Sequence, residues 1–243
     1  MIRSGMQDKS IHVLCTKEID DQLIAQAAAF KILIDVVPFI NTKPVNPFIL
    51  KSQFDQLSQA HTTVIFTSAN AVSAVAASGI ATTGWELFSV SGATKQAAQQ
   101  AFPYANIRAV TDDGVSLAAA IIQSGIRENI VYCCGNKRRD VLPTMLKEKG
   151  IRLEEVVCYE TELLPRHVER TYDAILFFSP SGVASYLSAN GIAPSQTLFC
   201  IGNTTAGALQ QWEEKLVVAD RPEPKNLIEK MIRHYKLGLS RYE

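Results

Sequence analysis

Short apolar, largely β-branched runs recur along the chain at positions 11–15, 32–37, 62–66, 87–90, 107–110, 129–133, 153–158, 174–178, 198–201 and 216–218. Most are continuously apolar rather than alternating. That pattern predicts strands covered on both faces, as in a parallel sheet with helices above and below. The segments between them carry helical spacing. Leu23, Ile24, Ala27 and Phe30 form one stripe, and Leu142, Met145 and Leu146 form another that Gly150 stops. Ser116 stands before Leu117, Ala120 and Ile121 as an expected N-cap, and Thr204-Thr205 stand before Ala208, Leu209 and Trp212 in the same way. Strand and helix alternating this often predict an α/β fold.

The pattern repeats. Phe66-Thr67-Ser68-Ala69-Asn70-Ala71-Val72 resembles Phe178-Ser179-Pro180-Ser181-Gly182-Val183, and Val90-Ser91-Gly92-Ala93-Thr94 resembles Ile201-Gly202-Asn203-Thr204-Thr205. Leu117 and Leu227 fall at nearly the same separation. Val13-Leu14-Cys15 and Val36-Val37 echo Val131-Tyr132-Cys133 and Val156-Val157 at a slightly larger one. Ordered matches at nearly constant separation predict two α/β units of similar build. The Pro-bearing stretch 36–47 and its counterpart 157–165 read as extended connectors. Two connectors suggest that the chain leaves one domain and later returns to it.

Composition narrows the function classes. Of 243 residues, 47% are apolar and 20% charged, and Lys+Arg equal Asp+Glu at 24 each. The balance fits a globular chain with a full core and argues against a dedicated nucleic-acid binder, which normally shows a basic excess. No run approaches the ~20 apolar residues that cross a bilayer. The polar start, Met1 to Ser10, lacks a secretory apolar stretch, so a cytoplasmic address is expected. Cys15, Cys133, Cys134, Cys158 and Cys200 lie in or beside apolar runs without Cys-x-x-Cys spacing, and read as buried thiols. His12, His61, His167 and His234 form no metal motif.

Candidate chemistry sits in loops that follow strand ends: Thr16-Lys17, Thr67 to Asn70, Ser91 to Thr94, Gly135 to Arg139, Ser179 to Gly182 and Gly202 to Thr205. Open α/β sheets bind ligands at the carboxyl ends of their strands. A Ser or Thr there caps the next helix and leaves its N–H groups and positive dipole end toward a carboxylate or phosphate. Each loop taken singly also reads as an ordinary helix cap; six of one type favour a shared anion site. Nucleotide-binding glycine loops and a nucleophile elbow are both missing from the chain, so an enzyme reading favours conformational control of a reactive substrate. Lys137-Arg138-Arg139 opposes the dipole of the helix it precedes, with Asp140 as the obvious partner. Tyr159, in the second connector, reads either as a packed strand aromatic or as a protonated phenol able to assist a departing oxygen.

Taken together, these motifs resemble the uroporphyrinogen-III synthase family over essentially the whole chain. Thr67-Ser68-Ala69-Asn70-Ala71-Val72 is similar to the family's Thr-Ser-x-Asn-Ala-Val. Gly135, Arg139, Leu142, Leu146, Gly150 and Tyr159 follow its Gly-x-x-x-Arg, Leu, Leu, Gly, Tyr order. Phe178 to Val183 and Ile201 to Ala206 are similar to two later motifs. The resemblance implies two flavodoxin-like lobes with parallel sheets, a two-stranded linker and a cleft between the lobes. Lobe 1 would be 1–36 with 166–243, the linker 37–47 with 156–165, and lobe 2 48–155. It implies a cyclising lyase that dehydrates hydroxymethylbilane and closes it, with ring D inverted, to uroporphyrinogen III.

By the same resemblance Tyr159 is the candidate catalytic residue. Thr16, Lys17, Thr67, Ser68, Asn70, Ser91, Gly92, Thr94, Gly135, Arg139, Ser179, Ser181, Gly182, Gly202, Asn203, Thr204 and Thr205 are the candidate substrate-binding residues. No cofactor or metal is implied. The expected partners are the small-molecule substrate and a transient hydroxymethylbilane synthase, with no nucleic acid or membrane, and the expected state is a monomer. Two departures are visible: Thr16-Lys17-Glu18 replaces the family's usual Thr-Arg-Pro, and Cys134 replaces an Arg often found before the glycine. Lysine keeps the charge but loses the guanidinium fork. The competing reading is a non-catalytic two-lobed protein that binds an anionic metabolite; a two-lobed nucleotide-sugar enzyme is a weaker third.

Overall fold

The computed structural model describes residues 10–57 and 63–239. His61, Thr62 and the polar start up to Lys9 lie outside the described residues. In chain order the elements are β1 (Ile11–Cys15), α1 (Asp21–Ala28), β2 (Ile32–Val36), β3 (Ile40–Pro44), α2 (Pro47–Leu57), β4 (Thr63–Phe66), α3 (Ala69–Ala77), β5 (Glu86–Val90), α4 (Ala93–Ala101), β6 (Asn106–Thr111) and α5 (Gly114–Ser124). They continue with β7 (Ile130–Gly135), α6 (Val141–Glu148), β8 (Leu153–Leu163), β9 (Ala174–Phe177), α7 (Pro180–Leu187), β10 (Thr197–Cys200), α8 (Asn203–Gly207), β11 (Leu216–Val218) and α9 (Pro224–Leu239). Two compact units result, Met1–Asn41 with Glu162–Glu243, and Thr42–Thr161.

The first unit carries a five-stranded sheet in the order β11-β10-β9-β1-β2, with parallel pairing throughout. One face buries Val13, Cys15, Leu176 and Phe199 against Ala27 of α1 and Leu227, Ile228 and Met231 of α9. The other buries Leu14, Ile175, Phe177, Leu198 and Cys200 against Val183, Tyr186 and Leu209. Successive side chains therefore enter opposite cores, which is why the strands read as unbroken apolar runs.

The second unit carries six strands in the order β3-β8-β7-β4-β5-β6. Val64, Phe66, Leu87, Val131 and Cys133 face Leu50 and Phe54 of α2 and Val72 and Val75 of α3. Ile65, Phe88, Ile130, Tyr132 and Cys134 face Leu117 and Ile121 of α5 and Leu142 and Leu146 of α6. The stretch 156–159 pairs with β7, and the Val45 N–H donates to the Cys158 carbonyl at 2.9 Å. Much of the sequence read as connector is thus strand in this sheet.

The repeat is a circular permutation. Reading β2-β1-β9-β10-β11 beside β8-β7-β4-β5-β6 matches β1 to β7, β9 to β4 and β10 to β5. The first unit starts at the strand that comes fifth in the second, which explains why the sequence matches fall into two groups of slightly different separation.

Three local expectations change. Helix α1 ends at Ala28, and Phe30 is 39% exposed beyond it, with Lys236 Nζ 3.6 Å from its ring centroid. Asp113, not Ser116, caps α5: its carboxylate accepts from the Ser116 N–H at 2.8 Å. The helix expected after Thr204-Thr205 stops at Gly207 and gives way to a 3-10 stretch, Gln210–Lys215, where Trp212 leaves helical geometry. Glycine weakens the helix there, and seating Leu209 in the core takes precedence. Among the described residues no helix is long and apolar enough to cross a membrane.

Candidate functional site

In each sheet the direction of strand addition reverses once. In the first unit this happens between β1 and β9, in the second between β4 and β7. An open parallel sheet leaves a crevice outside the carboxyl ends of its strands at that point, because the crossovers on either side run to opposite faces.

In the second unit the end of β4 supplies Thr67 and Ser68, and β7 supplies Tyr132 and Gly135. The Thr67 Oγ1 and Tyr132 Oη atoms hydrogen-bond at 2.9 Å. Ser68 caps α3, its hydroxyl accepting from the Asn70 N–H at 3.2 Å. The strand pairing shifts between Cys134 and Gly135: Cys134 faces Val157, but Gly135 faces Tyr159. One residue of β8 is skipped. Alternation would send Cys158 and Tyr159 to opposite faces; the bulge lets both pack against the same core. The Tyr159 ring consequently stands over Gly135, where an added Cβ would lie 2.5 Å from Cζ and 2.9 Å from Oη.

Burial sets the acid–base character of both phenols. It pushes Tyr159 up, and the neighbouring Ser68 hydroxyl draws it partly back. It pushes Tyr132 to about 12, against the pull of Thr67 and with added repulsion from the Cys134 thiol. Both phenols stay protonated at neutral pH; the Tyr132 hydroxyl is buried and paired with Thr67, and Tyr159, only partly buried beside the Ser68 hydroxyl, is the one with a proton to offer to an oxygen.

In the first unit Thr16 is 2% exposed and its hydroxyl donates to the Leu176 carbonyl at 2.7 Å. Ser179 caps α7, accepting from the Gly182 N–H at 3.1 Å. A Cβ on Gly182 would come within 3.4 Å of Ser179 Oγ and 3.8 Å of Thr16 Oγ1, so these three residues share one spot at the switch between β1 and β9. Ser181 is half-buried in the first turn of α7, and Lys17 is exposed beyond β1.

The remaining candidates sit less centrally. Ser91 hydrogen-bonds the Asp112 carboxylate at 3.1 Å, which puts negative charge beside that loop and disfavours a carboxylate ligand there. Gly92 starts α4 with φ +70°, and Thr94 is buried in the helix. Gly202 starts α8 without a side-chain cap; Asn203 and Thr204 are exposed, while Thr205 is buried. The expectation of Ser or Thr caps therefore holds at Ser68 and Ser179 but not at these two loops.

Arg139 and Asn70 are exposed. In the basic cluster Arg138 is bonded to Asp140 as expected and also to Glu155 of β8, with Nη2 2.8 Å from Oε1. The sequence reading missed Glu155, Asp112 and Tyr132. Glu155 and Asp112 give no local signal, and Tyr132 lies inside an apolar run that suggests only core.

Comparison with known proteins adds to this geometry. The sequence model of the family described as uroporphyrinogen-III synthase HemD matches residues 21–229. A uroporphyrinogen-III synthase of Saccharomyces cerevisiae is 31% identical over 119 residues, 41% of this chain and 43% of that protein. A porphyrin biosynthesis protein HemD of Ruminiclostridium josui is 26% identical over 131 residues, 49% of this chain and 26% of that protein. The matched stretch thus spans less than half of either curated relative. Among solved structures, a mutant uroporphyrinogen III synthase from the extremely thermophilic bacterium Thermus thermophilus superposes with TM-score 0.71 at 15% identity, covering 96% of this chain and 100% of that one. A uroporphyrinogen-III synthetase from Helicobacter pylori gives TM-score 0.56 at 16% identity, covering 94% and 99%. At such identities the likeness is one of fold.

Proposed function

The chain belongs to the uroporphyrinogen-III synthase HemD family, and from that premise we propose that it is a cyclising lyase acting on hydroxymethylbilane. It dehydrates this linear tetrapyrrole and closes it, with ring D inverted, to uroporphyrinogen III. The observation that carries the reading is the Tyr159 phenol, held protonated above Gly135 and beside Ser68 at the switch point of the second unit.

The chemistry suits such a group. Loss of the hydroxyl leaves a cation stabilised by the pyrrole nitrogen, so a hydrogen bond or proton from Tyr159 to the departing oxygen is sufficient acid assistance. The harder task is to make ring D attack through its substituted carbon, faster than unassisted closure gives the uninverted isomer. Holding the chain in one conformation accomplishes this. Acetate and propionate groups on the substrate match hydroxyls and helix starts: Thr67, Ser68 and Asn70 in the second unit, and Ser179, Ser181 and Gly182 in the first, where the buried Thr16 hydroxyl is spent on the Leu176 carbonyl and supports the loop. The family motifs support Arg139, Gly202, Asn203, Thr204 and Thr205 as further carboxylate contacts; Lys17 keeps the charge of the Arg it replaces, while the buried Thr94, which follows the loop beside the Asp112 carboxylate, is left out. Charge balance supports a small-molecule substrate over nucleic acid; a cytoplasmic monomer in passing contact with hydroxymethylbilane synthase completes the proposal.

The test is incubation of the purified protein with freshly generated hydroxymethylbilane, followed by isomer analysis of the oxidised products. Isomer III above background is expected. Isomer I alone, at the unassisted rate, overturns the proposal.

A further inference from the structure

We infer that Asn136 is a positioning residue for Tyr159, fastening the bulged end of β8 so that the phenol stays over Gly135. This deepens the proposed reaction and rests on it. Asn136 directly follows the last residue of β7 and grips β8 on both sides of Glu160. Its backbone N–H donates to the Tyr159 carbonyl at 3.1 Å, and its side-chain Oδ1 accepts from the Thr161 N–H at 2.8 Å.

The grip is needed because of what the bulge does. Regular pairing of β7 with β8 would carry the ladder forward residue for residue, and alternation would turn residue 159 away from the face that holds Cys158. The skipped residue turns it back, at the cost of ladder bonds just where β7 ends. The Asn136 backbone N–H continues the ladder to the Tyr159 carbonyl, as any residue's would, and its side-chain Oδ1 replaces the next ladder bond by accepting from the Thr161 N–H, so the backbone carrying the phenol is fixed on both sides of Glu160. Thr161 is buried, and without Asn136 Oδ1 its N–H would lose the acceptor it has. Gly135 provides the complementary condition, empty space for the ring. Neighbouring residues thus supply room and restraint, and Asn136 reaches the reaction only through Tyr159.

The inference is tested with the full chain, comparing Asn136→Ala, Asn136→Asp, Tyr159→Phe and the Asn136→Ala/Tyr159→Phe pair. Steady-state kinetics are read alongside NMR of ring-labelled tyrosine, with the Tyr159 signal identified by its loss in Tyr159→Phe. Asn136→Ala is expected to lower kcat by roughly tenfold to hundredfold, with KM within about twofold, and to shift the Tyr159 signal. Asn136→Asp retains an acceptor for the Thr161 N–H. It is expected to keep kcat and the Tyr159 signal near wild type, its added charge raising KM against a polyanionic substrate. In the Tyr159→Phe background Asn136→Ala should add little.

Wild-type kcat with an unmoved Tyr159 signal in Asn136→Ala overturns the inference. So does a kcat effect that persists in full without the Tyr159 hydroxyl, or a folded Asn136→Asp that loses kcat as the alanine variant does. Should wild type yield isomer I alone, the functional reading fails first. The NMR comparison then decides separately whether Asn136 holds the ring.

Discussion

The Tyr159 ring fills the space that a side chain at position 135 would need, with a Cβ there falling 2.5 Å from Tyr159 Cζ. Glycine is required at this position by the neighbour's ring rather than by backbone strain, since Gly135 is not among the positive-φ glycines.

Gly135→Ala should therefore act on activity more than on stability. The ring is partly exposed at the strand end and can swing away, so the stability loss is expected at about 1–3 kcal/mol, the ordinary cost of overpacking. The phenol leaves its place, and kcat should fall by at least about tenfold. Thermal melting beside the isomer assay separates the two effects.

Tyr159→Phe removes only the hydroxyl. Turnover is expected to drop by roughly a hundredfold, the usual scale of a lost proton donor, while the melting temperature stays within a few degrees. Full activity in this variant would take Tyr159 out of the chemistry.

The buried phenols and thiols predict a weakening at alkaline pH. Burial moves Tyr132 from 10.0 to about 12, and moves Cys15 and Cys200 from 9.0 to about 12. In each case the folded value lies above the unfolded one. Their stabilisation is complete below the unfolded value and is lost as pH rises through the folded one. Urea denaturation across a pH series should show stability declining from about pH 9 and falling most steeply between about 10 and 12. Tyr132→Phe should remove a share on the order of 3 kcal/mol at the alkaline end.

All five cysteines are free and buried. An aromatic disulfide reagent at neutral pH should label none of them rapidly in the native protein, and all of them after denaturation. Rapid labelling of the native chain would contradict the packing of β1, β7, β8 and β10.

The proposed spread of carboxylate binding over many hydroxyls predicts tolerance. Ser179→Ala loses the α7 cap, and Thr16→Val loses the buried bond to the Leu176 carbonyl. Each should cost about 1 kcal/mol of stability and reduce turnover without abolishing it. Chemical denaturation and the isomer assay check both; a folded variant with no turnover would show that the binding is concentrated in one group.

The runs around Val13, Ile65, Tyr132 and Leu176 were enough to reveal an α/β fold, because a strand buried on both faces must be apolar at every position. The matched loops at Ser68 and Ser179 likewise revealed two related units, since similar local chemistry caps similar helices. Periodicity and capping depend on near neighbours, so the chain states them openly. The chain by itself did not state the circular permutation, the bond between Thr67 and Tyr132, the Arg138–Glu155 pair, or the skipped residue that aims Tyr159 at Gly135. Each depends on strands that are far apart in sequence and meet only in the sheet, where a one-residue shift of register decides which face a side chain occupies. The tertiary structure alone fixes that shift.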